Sequence, residues 1–432
     1  MTALIGRAFG SLSVRNFRLF ATGQIVSAAG TWMMVVAQDW LVLGLTGNSG
    51  PALGAVTALQ FTPVLLLTLH GGRLADRHDK RLLLTVANLA AGALALVLSL
   101  LVFAHEVRLW HVYGLALGLG VVNAVEVPTR LSFVSELVGA ELLPNASALS
   151  AAYFSTARVV GPALAGLLLT ALGTGWVMLV NALSYLVTVT TLRLIRPAEL
   201  RRGPRTHAHP RVRDGLRYVA GRRDLLLALA LVAAVGLFGM NFQLTLPLLA
   251  KTVFHADAAS FGLLSSAFAA GSLVAALATT GRRRRPSGRL VAGSALAFGV
   301  LEGVTGWAPS FAVAAVLLFL VGFTAIHFAQ AANHRVQLGS DPRYRGRVMA
   351  LYTLILQGST PLGALGVGWL AQHWGARSGL VLGGLGSVAA AVCALGYERR
   401  DRDAQGPPRD GPSGGRQDAD GPGAPGEVRA LR

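Results

Sequence analysis

GGRLADRHDKR, residues 71–81, sets six charges and a histidine into eleven positions between two long apolar runs, 51–69 and 82–104. Arg73, Arg77, Lys80 and Arg81 are basic, while Asp76 and Asp79 are acidic. A membrane helix needs about 20 apolar residues, so the stretch reads as a short loop between two spans. Basic residues in such a loop hold it on the cytoplasmic face. The two acids do nothing for that and need another role.

The rest of the 432 residues has the same grain. Apolar residues make up 53% of the chain and charged residues only 13%, about half the share of a soluble domain. Twelve runs are long enough to span, the first over 17–45 and the last over 380–397. The net charge of +18 would suit nucleic acid. The basic residues gather in gaps between runs, however, and form no single face, which argues against nucleic acid as a partner. Of the 38 Lys and Arg residues, 33 lie before run 1 or at its first turn (Arg18), after run 12 or in gaps after even-numbered runs. The gaps after odd-numbered runs hold only Arg108, Lys251 and Arg377. That asymmetry predicts both termini in the cytoplasm of a multi-pass protein of the plasma membrane.

The start, MTALIGRAFGSLSVRNFRLF, lacks the pattern of a cleavable signal, so run 1 is expected to stay as a helix. Cys393 is the single cysteine and lies in an apolar run. No disulfide framework is possible, and a buried, inert thiol is expected.

The longest gap, opening at Arg196, divides the runs six and six. The expected fold is all-α and integral to the membrane: twelve transmembrane helices in two six-helix bundles. The boundaries are 1–195 for the first bundle, 196–223 for a basic cytoplasmic linker and 224–397 for the second bundle. A tail over 398–432, rich in Gly, Pro, Asp and Arg, is expected to be disordered. Within the linker, RVRDGLRYV reads either as a basic helix lying on anionic lipid or as a solvated connector. A repeat supports the division. At an offset of 202 residues Ala148, Gly161, Gly166 and Gly173 fall on Ala350, Gly363, Gly368 and Gly375, matching helix 5 to helix 11. Parallel repeats with a path between the halves are a transporter architecture.

GRLADRHDKR, residues 72–81, resembles the signature loop of the major facilitator superfamily, roughly G-x-L-A-D-R-x-G-R-R. In that family the loop latches the two halves on the cytoplasmic face. The resemblance gives Gly72 a tight-turn role, Asp76 the latch role and Arg77 the part of its charged neighbour, with Arg81 closing the motif. Arg345 and Arg347, in RYRGR before helix 11, are the natural counterpart. A carboxylate facing a helix N-terminus gains about 0.3–1 kcal/mol when exposed. The other reading of Asp76 is local charge balance. Asp79 stands where the family has Gly. The stretches 127–166, 241–254 and 344–371 look like the drug-exporter and enterobactin-exporter branch, and the likeness covers nearly all of 17–397.

Four charges well inside or near the ends of runs stand out: Arg158, Asp39, Glu126 and Glu302. Arg158 sits near the middle of helix 5, where a charge costs at least about 2.5–3.5 kcal/mol and must face the bundle interior or a water-filled path. Asp39 in helix 1 and Glu126 in helix 4 are its candidate partners. The set is either a coupling network or a structural ion pair. Asp39, toward the outer end of helix 1, is either a proton-exchanging group or a solvated acid; Glu126, just before Pro128, is either part of the network or bound to a basic loop. Glu302, near the outer end of helix 9, is expected in interfacial solvent. Run 4, over 110–127, holds no arginine, unlike many proton-coupled drug exporters. STARVVGPALAG, residues 155–166, resembles the end of the family's antiporter motif through Gly161, Pro162 and Gly166, which implies export; ordinary close packing is the other reading.

Gln38, Tyr153, Asn241, Gln243, His327, Gln330 and Gln357 are polar groups in apolar runs. Each either lines a substrate cavity or bonds between helices. There is no HExxH, no phosphate-binding loop and no paired cysteines with zinc spacing. No enzyme activity, cofactor or metal is expected. The leading reading is a monomeric, proton-coupled secondary exporter of small amphipathic compounds, working by alternating access. The alternatives are a specific metabolite or siderophore exporter or importer on the same scaffold, and a non-transporting membrane sensor.

Overall fold

The computed structural model describes residues 10–201, 212–279 and 285–405, and every regular element among them is helical. The long helices are α1 (Arg15–Leu45), α2 (Gly50–Arg77) and α3 (Lys80–Phe103), then one 64-residue helical stretch, Leu109–Leu172, which breaks at Gly139 into α4 (109–138) and α5 (140–172). They continue with α6 (Thr174–Leu194), α7 (Arg223–Val253), α8 (Ala258–Ala278), α9 (Gly288–Gly306), α10 (Phe311–Gly339), α11 (Arg345–Trp374) and α12 (Arg377–Gln405). Among the described residues, ten stretches are long and apolar enough to cross a membrane. The stretch 109–172 is long enough to do so twice, and α9, packed against α10 and α12, completes twelve.

Local chemistry sets the boundaries. Gly139 has φ 75°, a left-handed conformation that turns α4 into α5 and favours glycine. Over it lies Arg201, whose backbone N–H donates to the Glu136 carbonyl at 2.8 Å. Ser49, Asp79, Asp257, Ser287 and Ser310 cap the N-termini of α2, α3, α8, α9 and α10, each accepting from a backbone N–H three residues on. Such caps contribute about 1 kcal/mol apiece. The repeat is visible in the backbone: Gly173 and Gly375 end α5 and α11 with φ of 87° and 83°.

The first six helices pack on one another, as do the last six. Two pairs make the main contact between the halves, α2 with α11 and α5 with α8, with smaller contacts of α1 and α2 on α7 and of α1 on α8. A Cβ at Gly54 would lie 2.5 Å from the Ala364 carbonyl oxygen, and one at Gly166 would lie 2.7 Å from that of Ala258. Ser266 donates to the Val159 carbonyl at 2.6 Å. These contacts lie toward the ends of the helices remote from the basic loops. The structure is therefore the form closed away from its basic end.

Several expectations are corrected. α2 continues to Arg77, so Gly72 is helical and the turn falls at His78–Asp79; Asp79 replaces the family's Gly because it caps α3, accepting from Leu82 N–H at 3.1 Å. The tail does not begin at 398: α12 runs to Gln405, and Glu398 lies 3.6 Å from the Arg335 guanidinium. Cys393 is exposed, not buried. In the linker a helix forms at Val212–Ala220, with Tyr218 stacked on Tyr344 at 4.5 Å and its hydroxyl accepting from Asp341 N–H at 3.1 Å. That helix packs on the second half. The linker over 202–211 and the tail over 406–432 lie outside the described residues.

Candidate transport cavity

α1 carries Gln24, Ser27, Thr31 and Gln38 along one face, at spacings of three, four and seven residues. That face borders a cavity of 290 Å³ between the halves. α2 adds Thr57 and Gln60, α3 Asn88, α4 Asn123 and Glu126, and α6 Tyr185; from the second half come Gln243 and Gln357. Trp32, Phe61 and Phe154 supply aromatic surface. The cavity is thus amide- and hydroxyl-rich on the first half's wall.

Glu126 pairs with Arg130, whose Nε donates to Oε1 at 3.0 Å. The Arg130 guanidinium also lies 4.3 Å over the Phe154 ring. In the sequence Arg130 lies three residues past the end of run 4, in the gap before run 5. Helix α4 extends eleven residues beyond run 4, to 138, and so brings an arginine into the cavity wall after all.

A side chamber of 70 Å³ opens beside this cavity, walled by Trp32, Pro162, Phe242, Phe261 and Phe268. Arg158 and Asp39 both face it, and Asp39 also borders the main cavity. Asp39 is buried and its Oδ2 has no hydrogen-bond partner. Arg158 makes no ion pair among the described residues. Its guanidinium lies 5.4 Å from the Trp32 ring and 5.6 Å from that of Phe268, so aromatic faces and not a carboxylate hold it. The expected pairing with Asp39 or Glu126 is not made. A guanidinium and a carboxyl group, both with unspent bonding capacity, share a small apolar chamber, and an unpaired charge there costs several kcal/mol.

The other candidate residues divide. Gln38, Gln243 and Gln357 border the cavity. Asn241, Tyr153, His327 and Gln330 do not. Asn241 Nδ2 donates to the Leu237 carbonyl at 2.9 Å at a break in α7; Tyr153 is buried beside Phe154; His327 stacks on Phe323; Gln330 accepts from the Thr279 hydroxyl, tying α10 to α8. Glu302 is 2% exposed, not solvated, because glycines on α7 and α12 let those helices close over it. The α5 motif is closely packed: a Cβ at Gly161 would lie 2.6 Å from the Trp32 Cβ, and Pro162 and Gly166 meet α8.

The latch residues are apart. Asp76 is exposed and has no partner among the described residues. Arg77 is exposed on the same turn. Arg81 bonds the Leu192 and Arg193 carbonyls at 2.7 and 2.8 Å, capping α6. Arg345 donates to the Gln337 carbonyl at 3.0 Å, and the Arg347 guanidinium lies 5.4 Å over the Tyr344 ring.

Residues 7–410 match the profile of a family described as transmembrane secretion effectors. The macrolide efflux protein A of Streptococcus pyogenes is 24% identical over 401 residues, spanning 90% of this chain and 97% of that protein. The multidrug efflux pump Tap of Mycobacterium tuberculosis H37Rv is 26% identical over 400 residues, spanning 87% and 91%. Among solved structures, a bacterial homologue of the human lysosomal transporter Spinster, inward-facing and occupied, superposes with a TM-score of 0.70 at 15% identity, covering 89% of this chain and 97% of that one.

Proposed function

The chain belongs to the transmembrane secretion effector family of major facilitator transporters, and from that membership we propose that it exports small amphipathic compounds, driven by protons moving inward. The observation that carries this reading is the Asp39 carboxyl, unpartnered at the junction of the main cavity and the Arg158 chamber. A group so placed meets both a bound substrate and the charge on α5. The gathering of basic residues at one end supports a cytoplasmic position for that end and for both termini. The form described here then takes up its cargo from the cell. Rocking of the halves brings Asp76 to the start of α11, closes the cytoplasmic side and exposes Asp39 outward, where proton binding displaces the cargo. One chain holds a complete cavity, so the working unit is a monomer. The names of the two efflux relatives support export of drug-sized molecules.

Ethidium accumulation in expressing cells tests this, with and without an uncoupler. Wild type lowers accumulation, the uncoupler restores it, and Asp39→Asn and Asp76→Asn fail while still inserted. Unchanged dye levels in every case would sink broad drug export. The amides Gln24, Gln38, Gln60, Asn88 and Asn123 on the cavity wall favour a second reading, export of one polar metabolite. A polar compound retained only in cells lacking the gene would establish it.

A further inference from the structure

Helices α7, α9 and α12 close around a carboxyl group that has no place in the cavity. α7 is interrupted between Phe238 and Phe242, and a Cβ at Gly239 in that break would lie 2.8 Å from Glu302 Oε2 and 2.8 Å from Ser387 Oγ. A Cβ at Gly383 would lie 2.8 Å from Glu302 Oε1 and 2.6 Å from the Phe238 carbonyl oxygen. The carboxyl is therefore pressed between the broken turn of α7 and the glycine face of α12. Both Glu302 Oε2 and Ser387 Oγ are buried without a hydrogen-bond partner.

No cation answers this charge among the described residues. On α7, Lys251 lies over the Trp40 ring at 4.7 Å. On α12, Arg377 donates to the Ala308 carbonyl at 3.2 Å, and Glu398 faces Arg335 of α10 at the basic end. His327 of α10 stacks on Phe323. A bare carboxylate can only accept hydrogen bonds, and the Phe238 carbonyl that borders the same gap, accepting from Asn241 Nδ2 at 3.3 Å, can only accept too; the Ser387 hydroxyl is the one neutral donor set against the carboxyl at Gly239. With a hydrogen on one oxygen, the group becomes a donor, and the Phe238 carbonyl and Ser387 Oγ, which border the same gap, are acceptors for it. The packing suits the neutral acid.

We propose that Glu302 is a proton-binding site built into the hinge of α7. Protonated, it donates to the Phe238 carbonyl or Ser387 Oγ and holds the break. Release of the proton to water leaves a carboxylate with no counter-charge, and the broken turn rearranges. This extends the efflux reading, which places a titrating carboxyl at Asp39 in the first half, to a second one in the other half.

The test uses the full chain in lipid nanodiscs without substrate, in a Cys393→Ala background. Infrared difference spectra report protonated carboxyls, and spin labels on the two segments of α7 report the hinge. Wild type is expected to show a protonated-carboxyl band at neutral pH and a pH-driven change in label distance. Glu302→Gln loses the band and the pH response. Ser387→Ala leaves the carboxyl but shifts its band, and carries the test if Glu302→Gln does not fold. An unchanged band and unchanged distance response in Glu302→Gln, or an unshifted band in Ser387→Ala, would overturn the proposal. So would loss of the band in sodium but not in choline buffer, which would make this a sodium site. Failure of dye efflux bears on none of these readings.

Discussion

Gly50 and Gly368 meet across the two halves of the molecule with no room for a methyl group on either: a Cβ on one would lie 2.6 Å from the carbonyl oxygen of the other. This contact between α2 and α11, with its counterpart between Gly166 of α5 and Ala258 of α8, is the seam that closes one end of the transporter.

Gly368→Val forces that seam apart. Overpacking of this kind costs about 1–3 kcal/mol, enough to move the balance between the two forms by roughly 5–150-fold. Spin labels across the seam should report the opened form as the majority in the variant. Unaltered distances would show that the backbone absorbs the methyls and that the seam does not set the equilibrium.

Arg158→Ala removes the cation held by Trp32 and Phe268 while leaving the chamber's apolar walls. Transport should fall by at least tenfold with membrane insertion intact, and Arg158→Lys should rescue it poorly, since a compact ammonium does not stack as a guanidinium does. Full rescue by Lys would reduce the role of Arg158 to bare charge.

Glu126 and Arg130 form a bonded pair in the cavity wall, so each single substitution strands the other's charge. Glu126→Gln or Arg130→Gln should each lower stability by about 1.5–3 kcal/mol, and the double variant by less than the sum. Thermal unfolding in detergent measures the coupling, and strictly additive losses would show that the pair contributes nothing.

Asp257 caps α8 in the loop after α7, and the hydrogen bond from Ser260 N–H holds its carboxyl below the usual aspartate range. A depressed value in the folded state means the stabilisation is full above the unfolded-state pKa and is lost as pH falls through the folded-state one. Wild type should therefore lose stability toward acid pH, and Asp257→Ala should be less stable at neutral pH but flatter across that window. Parallel pH profiles for the two proteins would show that the cap is not formed.

Much was legible in the sequence for a simple reason: the bilayer is a harsh solvent. It demands long apolar helices, expels charge to the loops and sorts Lys and Arg to one face, so composition and spacing predicted twelve helices, the six-plus-six division and the repeat that pairs Gly173 with Gly375. The cavity was only partly legible. Gln38, Gln243 and Gln357 were found because a polar residue in an apolar run stands out. Arg130 was missed because helix length beyond the apolar run is not encoded in hydropathy.

What the chain alone determined is thus the set of elements, their order and the fact that they span a membrane. Only the tertiary structure decided which polar groups share a space. Arg158 found aromatic rings instead of a carboxylate, Arg81 capped α6 instead of joining a latch, and Glu302 was buried where solvent was expected. Those outcomes depend on close approaches between glycines hundreds of residues apart, such as Gly50 with Gly368, and a local pattern carries no record of which distant backbone each glycine is small enough to meet.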